Sequence, residues 1–198
     1  HPLLYLGGGL TSERGSEAIR RFNARFSIPS VNTLMAKGVV NEREATNLGM
    51  LGMFGTPAAN KIIQENDLFL AIGVRWDDRV AEKVGFAIQA KIAFIDIHAD
   101  KVQQIRGERR PVFSFIGDAA TILHDLCDWA DTQDLKLTID EWREHAARLK
   151  RRWPLAYNTE ATTIQMAQVL RTLDSLIDES TIITTGVGNH QLFSAQYI

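Results

Sequence analysis

Cysteine is nearly absent from this sequence: Cys127 is the only one in 198 residues. The chain can therefore build neither a disulfide framework nor a cysteine-rich zinc site. Cys127 stands in the amphipathic stretch ILHDLCDWA, where we expect a buried structural thiol. No apolar run approaches the roughly 20 residues of a membrane span, and no charged start with an apolar core suggests a signal peptide. The chain begins with His1 and ends on Ile198 in a helix-like stretch, so we expect a piece of a longer polypeptide.

The sequence also lacks an excess of either charge. Lys and Arg total 22 against 24 Asp and Glu, a formal net charge of -2, which gives no electrostatic reason to expect a nucleic-acid partner. The one dense basic run, RLKRRW (148–153), follows acidic residues in a helical pattern, and we expect a solvated helix face there. At 45% hydrophobic residues the chain has the composition of a globular protein. We expect neither nucleic acid nor a membrane as a partner.

Short apolar runs alternate with helical patterns over residues 1–130. Strands are predicted in LLYL, IPSVNTL (28–34), LFLAIGV (68–74), KIAFIDI (91–97) and VFSFI (112–116). Helices are predicted after Ser12, over 55–66 with Thr56 as cap and Pro57 at its first position, and over 117–130. Alternating strands and helices predict an α/β fold with a doubly wound, Rossmann-like parallel sheet.

The pattern changes after residue 130. Residues 131–160 are predicted to form a linker that carries one helix, which opens with a capping box from Thr138 to Glu141. Residues 161–198 are predicted to begin a second α/β unit, with a helix over 162–178 and a strand in TIIT (181–184). The sequence thus predicts a main domain, a linker and an incomplete second unit.

Two glycine-rich stretches are candidate ligand sites. GGGLTS (7–12) follows a strand and precedes a helix, where a backbone can approach a phosphate group, although a tight turn explains it equally. LGMLGMFGTPAAN (48–60) combines glycines with Met50, Met53 and Phe54, soft and flat side chains suited to an aromatic ring. The alternative there is a glycine-containing turn with core methionines.

Charged residues crowd the end of a predicted buried strand in GVRWDDRV (73–80). Ligands of open α/β sheets bind beyond the carboxyl ends of the strands, where Arg can bind a phosphate and Asp can accept from a ribose hydroxyl. Asp96 ends a neighbouring predicted strand and belongs to the same candidate site. A surface salt-bridge network is the alternative, against which Trp76 argues.

A similar cluster, TGVGNHQ (185–191), follows the predicted strand TIIT. Gly186 and Gly188 precede Asn189, His190 and Gln191 at a predicted helix start, where neutral donors can meet a diphosphate. An incidental histidine in a loop is the alternative.

Taken together, YLGGGL, LGMLGMFGTPAAN, GVRWDDRV, IDIHAD, GDAATIL and TTGVGNHQLFSAQY resemble the catalytic subunits of acetohydroxyacid (acetolactate) synthases, thiamine-diphosphate enzymes that also hold FAD. The motifs occur in the same order and cover nearly the whole chain. The resemblance implies a central FAD-binding domain over 1–130, a linker over 131–160 and the start of the thiamine-diphosphate-binding domain over 161–198.

The resemblance also implies roles for individual residues. Those near the FAD pyrophosphate and ribose, along the cofactor and at its flavin end would be Gly8, Gly9, Thr33, Leu34, Met35, Gly52, Met53, Phe54 and Gly55. Those lining the same crevice and flanking the adenosine would be Gly73, Arg75, Asp77, Arg79, Asp96, Ile97 and Asp118. Asn189 and His190 match positions that meet the thiamine diphosphate phosphates.

The chain departs from the family pattern at four places. Phe54 stands where the family usually has His, Asn189 where it has Gln, His98 where it has Asp, and TPAAN where it often has TVYAN. Phe54 keeps a flat contact without a hydrogen bond, and Asn189 keeps the donor on a shorter side chain. These differences bear on substrate preference more than on the cofactor.

The family's reaction condenses pyruvate with a second 2-keto acid as carbon dioxide leaves, in branched-chain amino acid biosynthesis. The resemblance implies FAD here, thiamine diphosphate and Mg²⁺ in the full-length enzyme, a homodimer or tetramer, a regulatory subunit and a cytoplasmic location. The chain by itself is expected to be inactive, because the activating glutamate and the magnesium-binding segment are not in it. The alternatives are another thiamine-diphosphate decarboxylase or carboligase without FAD, and a stand-alone nucleotide-binding module.

Overall fold

Six parallel strands form one open sheet in the computed structural model, which describes residues 1–75, 89–100, 111–178 and 180–198. The strands are β1 (Pro2–Leu6), β2 (Ser30–Asn32), β3 (Asn47–Met50), β4 (Leu68–Ile72), β5 (Lys91–Asp96) and β6 (Phe113–Ile116). Their order is β3-β2-β1-β4-β5-β6, and every neighbouring pair is parallel. The prediction of a doubly wound parallel α/β sheet is confirmed.

Six helices accompany the sheet in the described residues. They are α1 (Glu13–Phe26), α2 (Pro57–Ile62), α3 (Ala119–Thr132), α4 (Asp140–Arg152), α5 (Met166–Leu176) and α6 (Asn189–Tyr197). The predicted caps of α1 and α2 are confirmed: Ser12 Oγ accepts from the Gly15 N–H at 3.1 Å, and Thr56 Oγ1 accepts from the Ala59 N–H at 3.1 Å. Pro57 occupies the first position of α2, where its missing N–H costs nothing.

Helices cover both faces of the sheet because successive strand residues point to opposite sides. On one face Leu3 and Tyr5 of β1 pack in a core with α2 and α4, and Trp142 of α4 donates its indole N–H to the Pro2 carbonyl at 2.8 Å. On the other face Leu4 and Leu6 pack in a core with α1 and α3. Cys127 of α3 is buried in this second core, as predicted, and its burial raises the pKa of the thiol.

The strand order reverses between β1 and β4. From β1 the chain proceeds outward to β2 and β3 on one side, and it then returns to build β4, β5 and β6 on the other. In doubly wound sheets this reversal leaves a crevice at the carboxyl ends of the two central strands. The fold thus places the loops after β1 and β4 side by side.

Three predictions about local structure are wrong. β3 lies in NLGM, part of a stretch predicted to be a glycine-rich turn, because its backbone completes the ladder with β2. TIIT (181–184) forms no strand: Ile182 is 89% exposed, and no strand lies beside this segment in the described chain. Helix α4 begins after Ile139 without a side-chain cap, so the capping box from Thr138 to Glu141 does not form.

The basic run 148–153 is less solvated than predicted. Leu149 is buried, and Lys150 Nζ donates to the backbone carbonyls of Glu42 and Glu44, both at 2.6 Å. Burial lowers the pKa of Lys150, while the negative charges of the same two glutamates act in the opposite direction.

The domain boundaries proposed at residues 130 and 160 stay predictions. Helix α4, which lies between them, packs into the core of the sheet. None of the described helices is long and apolar enough to cross a membrane.

Candidate functional site

The loops at the carboxyl ends of the strands are joined to one another by backbone hydrogen bonds. The Thr33 N–H donates to the Leu6 carbonyl at 2.9 Å, and the Leu51 N–H donates to the Asn32 carbonyl at 3.0 Å. On the other side of β1, the loops after β4, β5 and β6 are tied in the same way, through Gly73 to Ile95 at 2.8 Å and Gly117 to Asp96 at 3.0 Å. These loops form a continuous surface, which we call the carboxyl edge.

Backbone contacts between glycines join the loop after β1 to the loop after β4. The Gly7 N–H donates to the Ile72 carbonyl at 2.9 Å, and the Gly9 N–H donates to the Gly73 carbonyl at 3.0 Å. A Cβ added to Gly73 would lie 2.7 Å from the Gly9 Cα, and Gly73 has a φ of +59°. Gly73 therefore needs to be glycine because of its backbone conformation, and Gly9 and Gly73 both need to be glycine because their backbones approach so closely. At the point where the strand order reverses, backbone contacts of Gly7, Gly9 and Gly73 thus join the two loops.

The loop after β2 supplies the next part of the carboxyl edge. Thr33, Leu34 and Met35 begin a short 3₁₀ turn, Leu34–Ala36, in which Met35 is 70% exposed. A Cβ on Gly8 would meet the Met35 Cβ at 3.2 Å, so the loops after β1 and β2 touch. The buried Thr33 hydroxyl oxygen has no hydrogen-bond partner within the part of the chain that the structure describes.

The turn after β3 contains Gly52, Met53, Phe54 and Gly55. The Asn60 side chain holds this turn by donating to the Gly52 carbonyl at 2.9 Å and accepting from the Gly52 N–H at 3.0 Å. The Gly55 N–H closes the turn on the Gly52 carbonyl at 2.9 Å. Met53 and Phe54 keep 67% and 48% of their surface exposed, which contradicts the alternative of core methionines at position 53. Met50, in contrast, is buried.

The loops after β4 and β5 hold the charged candidates. Gly73 is half-buried and Arg75 is exposed. Asp96 is 4% exposed and accepts from the His98 N–H at 2.9 Å, while Ile97 beside it is 66% exposed. Residues 76–79 of the candidate site, with the roles predicted for Asp77 and Arg79, lie outside the described residues.

Asp118 lies after β6 and caps α3. Its carboxylate accepts from the Thr121 N–H at 2.9 Å and from the Thr121 hydroxyl at 2.8 Å. The backbone bond, then the hydroxyl bond, lower the pKa of Asp118, and the charge of Arg14 adds to them. Asp118 thus has a structural role in the helix, beside the cofactor role that the resemblance implies.

We expect Asp118→Ala to lower the free energy of unfolding at pH 7 by about 1 kcal/mol, the usual value of a helix cap. Because folding lowers the pKa of Asp118, its contribution is complete above the ordinary aspartate pKa of about 4 and is lost as the pH falls through the lowered folded value. Urea unfolding at several pH values measures the difference between the wild type and the variant. Asp125→Ala, on the exposed side of α3, is the control. A difference that grows on acidification would contradict the assignment.

Asn189 and His190 lie at the start of α6, outside the loops that define the carboxyl edge. Both are exposed at the start of α6, and the ring of His190 lies against Gly186 and Gly188. A Cβ added to these two glycines would lie 3.3 and 3.1 Å from the imidazole. The structure therefore brings the glycines and the histidine of this motif together.

A groove of about 1100 Å³ lies between the loop 37–49 and helices α5 and α6. It shares Leu34 and Met35 with the carboxyl edge. Its charged side chains are paired with the protein itself, as in the Lys37–Glu42 ion pair at 2.7 Å, so we interpret it as a seam between two parts of the chain. Among the described residues, no cluster of three or more His, Cys, Asp or Glu side chains is arranged to hold a metal ion.

Two residues that hold the carboxyl edge were not predicted from the sequence. Asn60 fixes the turn after β3, and Asn32, 1% exposed at the end of β2, donates to the Thr33 carbonyl at 3.2 Å and to Glu42 Oε1 at 3.3 Å. A signal was present for Asn32, since a polar residue inside a predicted buried strand needs a partner. For Asn60 the sequence contains no such signal, because an asparagine in a helix is common.

Strand order, glycine contacts at the reversal and a continuous carboxyl edge define a doubly wound α/β domain of the kind that binds ligands at this edge. Residues 1–126 match the family model described as thiamine pyrophosphate enzyme, central domain. The chain belongs to this family.

Curated relatives are similar to the chain over its whole length. Acetolactate synthase 2, chloroplastic, of Nicotiana tabacum is 38% identical over an alignment of 199 positions that covers 99% of this chain and 29% of that protein. The acetolactate synthase large subunit of Pyropia yezoensis is 34% identical over an alignment of 200 positions that covers 100% of this chain and 33% of that protein. The chain therefore spans about a third of the length of these relatives.

Proposed function

We propose that this chain is the FAD-binding central domain, with adjoining segments, of an acetolactate synthase-type enzyme. The observation that carries the proposal is the glycine contact at the strand-order reversal, where Gly7 and Gly9 bond to the loop after β4. A glycine turn after β1 that precedes a helix is suited to the pyrophosphate of a dinucleotide, since no side chain blocks the approach. The activity comes from the relatives, which are acetolactate synthases.

The residues present fit a flavin nucleotide. Gly8 has no positive φ, and the nearest atoms to a Cβ placed on it belong to the exposed Met35. Met35, Met53 and Phe54 offer exposed apolar surface at the same edge, and thioether and aromatic groups are suited to contact a flat ring. The buried Thr33 hydroxyl in this region has no hydrogen-bond partner among the described residues. The family resemblance implies that bound FAD would stabilise the structure of the site and undergo no net oxidation or reduction.

The remaining parts of the proposal rest on the family. The full-length enzyme would use thiamine diphosphate and Mg²⁺, condense pyruvate with a second 2-keto acid, and assemble as a homodimer or tetramer with a regulatory subunit. Asn189 and His190 would bind the diphosphate by donating hydrogen bonds. A cytoplasmic location stays a prediction.

The test is a titration of the 198-residue chain with FAD, followed by flavin fluorescence. We expect saturable quenching that ADP reverses, because ADP contains the adenosine and pyrophosphate that the edge would bind. Unchanged fluorescence at all FAD concentrations would contradict FAD binding and favour the alternative, a thiamine-diphosphate decarboxylase or carboligase without FAD. Binding of ADP without any contribution from the flavin would favour a nucleotide-binding module.

A substitution at Gly8 tests where FAD binds. We expect Gly8→Leu to weaken FAD binding at least tenfold, about 1.4 kcal/mol, because the new side chain fills the space in front of the turn after β1. The dissociation constant comes from the same fluorescence titration, and circular dichroism checks that the variant is folded. Gln168→Leu adds a leucine on the exposed side of α5 and should leave the affinity unchanged. Equal affinities for both variants would remove the turn after β1 from the site.

A further inference from the structure

Three side chains connect the loops after β2 and β3 to the carboxyl-terminal helices. Lys37 Nζ donates to the Ile198 carbonyl at 3.0 Å, and Arg43 pairs with Asp174 of α5 at 3.0 Å. The third connection is made by Gln196 of α6, whose side-chain amide donates to the Phe54 carbonyl at 2.9 Å. These contacts join parts of the chain that are more than 130 residues apart in the sequence.

The turn that Gln196 reaches is held by amide side chains at both of its ends. Asn60 of α2 bonds to both backbone groups of Gly52 at the start of the turn. Gln196 bonds to the carbonyl of Phe54, near its end. The first amide comes from the sheet domain and the second from α6. The conformation of the turn therefore depends on how α6 is docked.

The side chains displayed by this turn are the ones placed at the flavin end of the proposed site. Met53 and Phe54 keep 67% and 48% of their surface exposed, and neither belongs to a hydrophobic core cluster of the described residues. Their direction therefore follows the backbone of the turn, which Gln196 restrains. Asn189 lies on the same helix, seven residues or about 10 Å from Gln196.

We propose that Gln196 is a positioning residue for the turn Gly52–Gly55, through which the docking of α6 sets the surface that Met53 and Phe54 present to the flavin. The restraint on the turn is a property of the chain alone, and its effect on the flavin rests on the function proposed above. Gln196 acts through the Phe54 carbonyl and does not contact the cofactor.

The first experiment needs no cofactor. Amide hydrogen exchange is measured at Gly55 and Thr56, whose N–H groups bond within the turn to the carbonyls of Gly52 and Met50 at 2.9 and 2.8 Å. We expect Gln196→Met, which keeps the size and loses the donor, to raise exchange there by roughly three- to tenfold. Gln196→Glu should do the same, so that a charge effect is separated from loss of the donor.

Gln168→Glu is the control, because its side chain is exposed on α5, away from the turn. It should leave exchange at Gly55 and Thr56 unchanged. If both Gln196 variants exchange like the wild type at these two amides, the proposed restraint does not exist. If exchange rises equally along all of α6 and the turn, Gln196 only stabilises the helix, and the positioning role is wrong.

The second experiment adds FAD to the wild type and to Gln196→Met. We expect a shifted visible absorption band of the bound flavin in the variant, because Met53 and Phe54 are displaced, with a several-fold weaker dissociation constant. If the wild-type chain does not bind FAD, the proposed function is wrong. The exchange experiment then still tests whether Gln196 restrains the turn. Identical flavin spectra in two chains that both bind FAD would defeat the positioning role alone.

Discussion

Gly73→Ala should lower the free energy of unfolding by about 3 kcal/mol. A φ of +59° costs a residue with a Cβ roughly 1 kcal/mol, and the added atom would lie 2.7 Å from the Gly9 Cα and 3.0 Å from the Gly9 nitrogen. Those neighbours are backbone atoms of the turn after β1, which hydrogen bonds hold to the loop after β4. The turn therefore cannot move aside without breaking those bonds.

The matched control is Gly38→Ala. Gly38 has a φ of +84°, and a Cβ there would meet nothing within 4 Å. This variant therefore has the energetic cost of the backbone conformation but no steric clash. We expect it to lose about 1 kcal/mol. Urea unfolding of both variants by circular dichroism gives the two values. If both variants lose the same free energy of unfolding, Gly9 and Gly73 are not packed against each other, and the geometry described for the proposed site is wrong.

Phe94→Ala should lower the free energy of unfolding by about 4 kcal/mol. Phe94 is fully buried on β5, between Ala71 of β4 and Ser114 of β6, in the core that α2 and α4 cover. Truncation removes its transfer free energy and leaves a cavity that the small neighbour Ala71 does not fill. This loss is a large part of the 5–15 kcal/mol that stabilises a typical domain.

Phe113→Ala on the neighbouring strand β6 is the control for this truncation. Phe113 is 64% exposed, so its removal should change the free energy of unfolding by about 0.5 kcal/mol or less. Thermal and urea unfolding of both variants measure the contrast. If the two phenylalanine truncations cost the same, Phe94 is not in the core and the packing of β5 is wrong.

Most of the sheet could be predicted because its strands are buried on both faces. LFLAI and KIAFID read as continuous apolar runs, which only a covered strand tolerates, and they became β4 and β5. The strand NLGM could not be recognised, because two apolar residues on either side of a glycine resemble a turn as much as a strand. The opposite error occurred at TIIT, whose β-branched residues favour a strand but which has no strand to pair with in the described chain.

The candidate site was predictable where one residue type answers a local need. The Thr56 cap of α2 is of this kind, since it serves its own helix. The glycines after β1 were predicted as a turn, but their close packing against Gly73 depends on the tertiary structure. The contacts of Gln196 and Asn60 were not predictable. An amide side chain can donate a hydrogen bond to any carbonyl that lies within hydrogen-bond distance, and the neighbouring residues in the sequence do not indicate which carbonyl that is.

The amino-acid sequence by itself determined the fold class, the helix caps and the order of motifs that resembles the acetolactate synthases, because these depend on local periodicity and on residues close together in the chain. Tertiary structure alone decided which strands became neighbours, so that the loops after β1 and β4 meet at Gly9 and Gly73. It also decided that α6 would reach back to Phe54. The physical reason is that contacts between distant segments depend on the packing of the whole sheet and its helices, which no short stretch of sequence encodes.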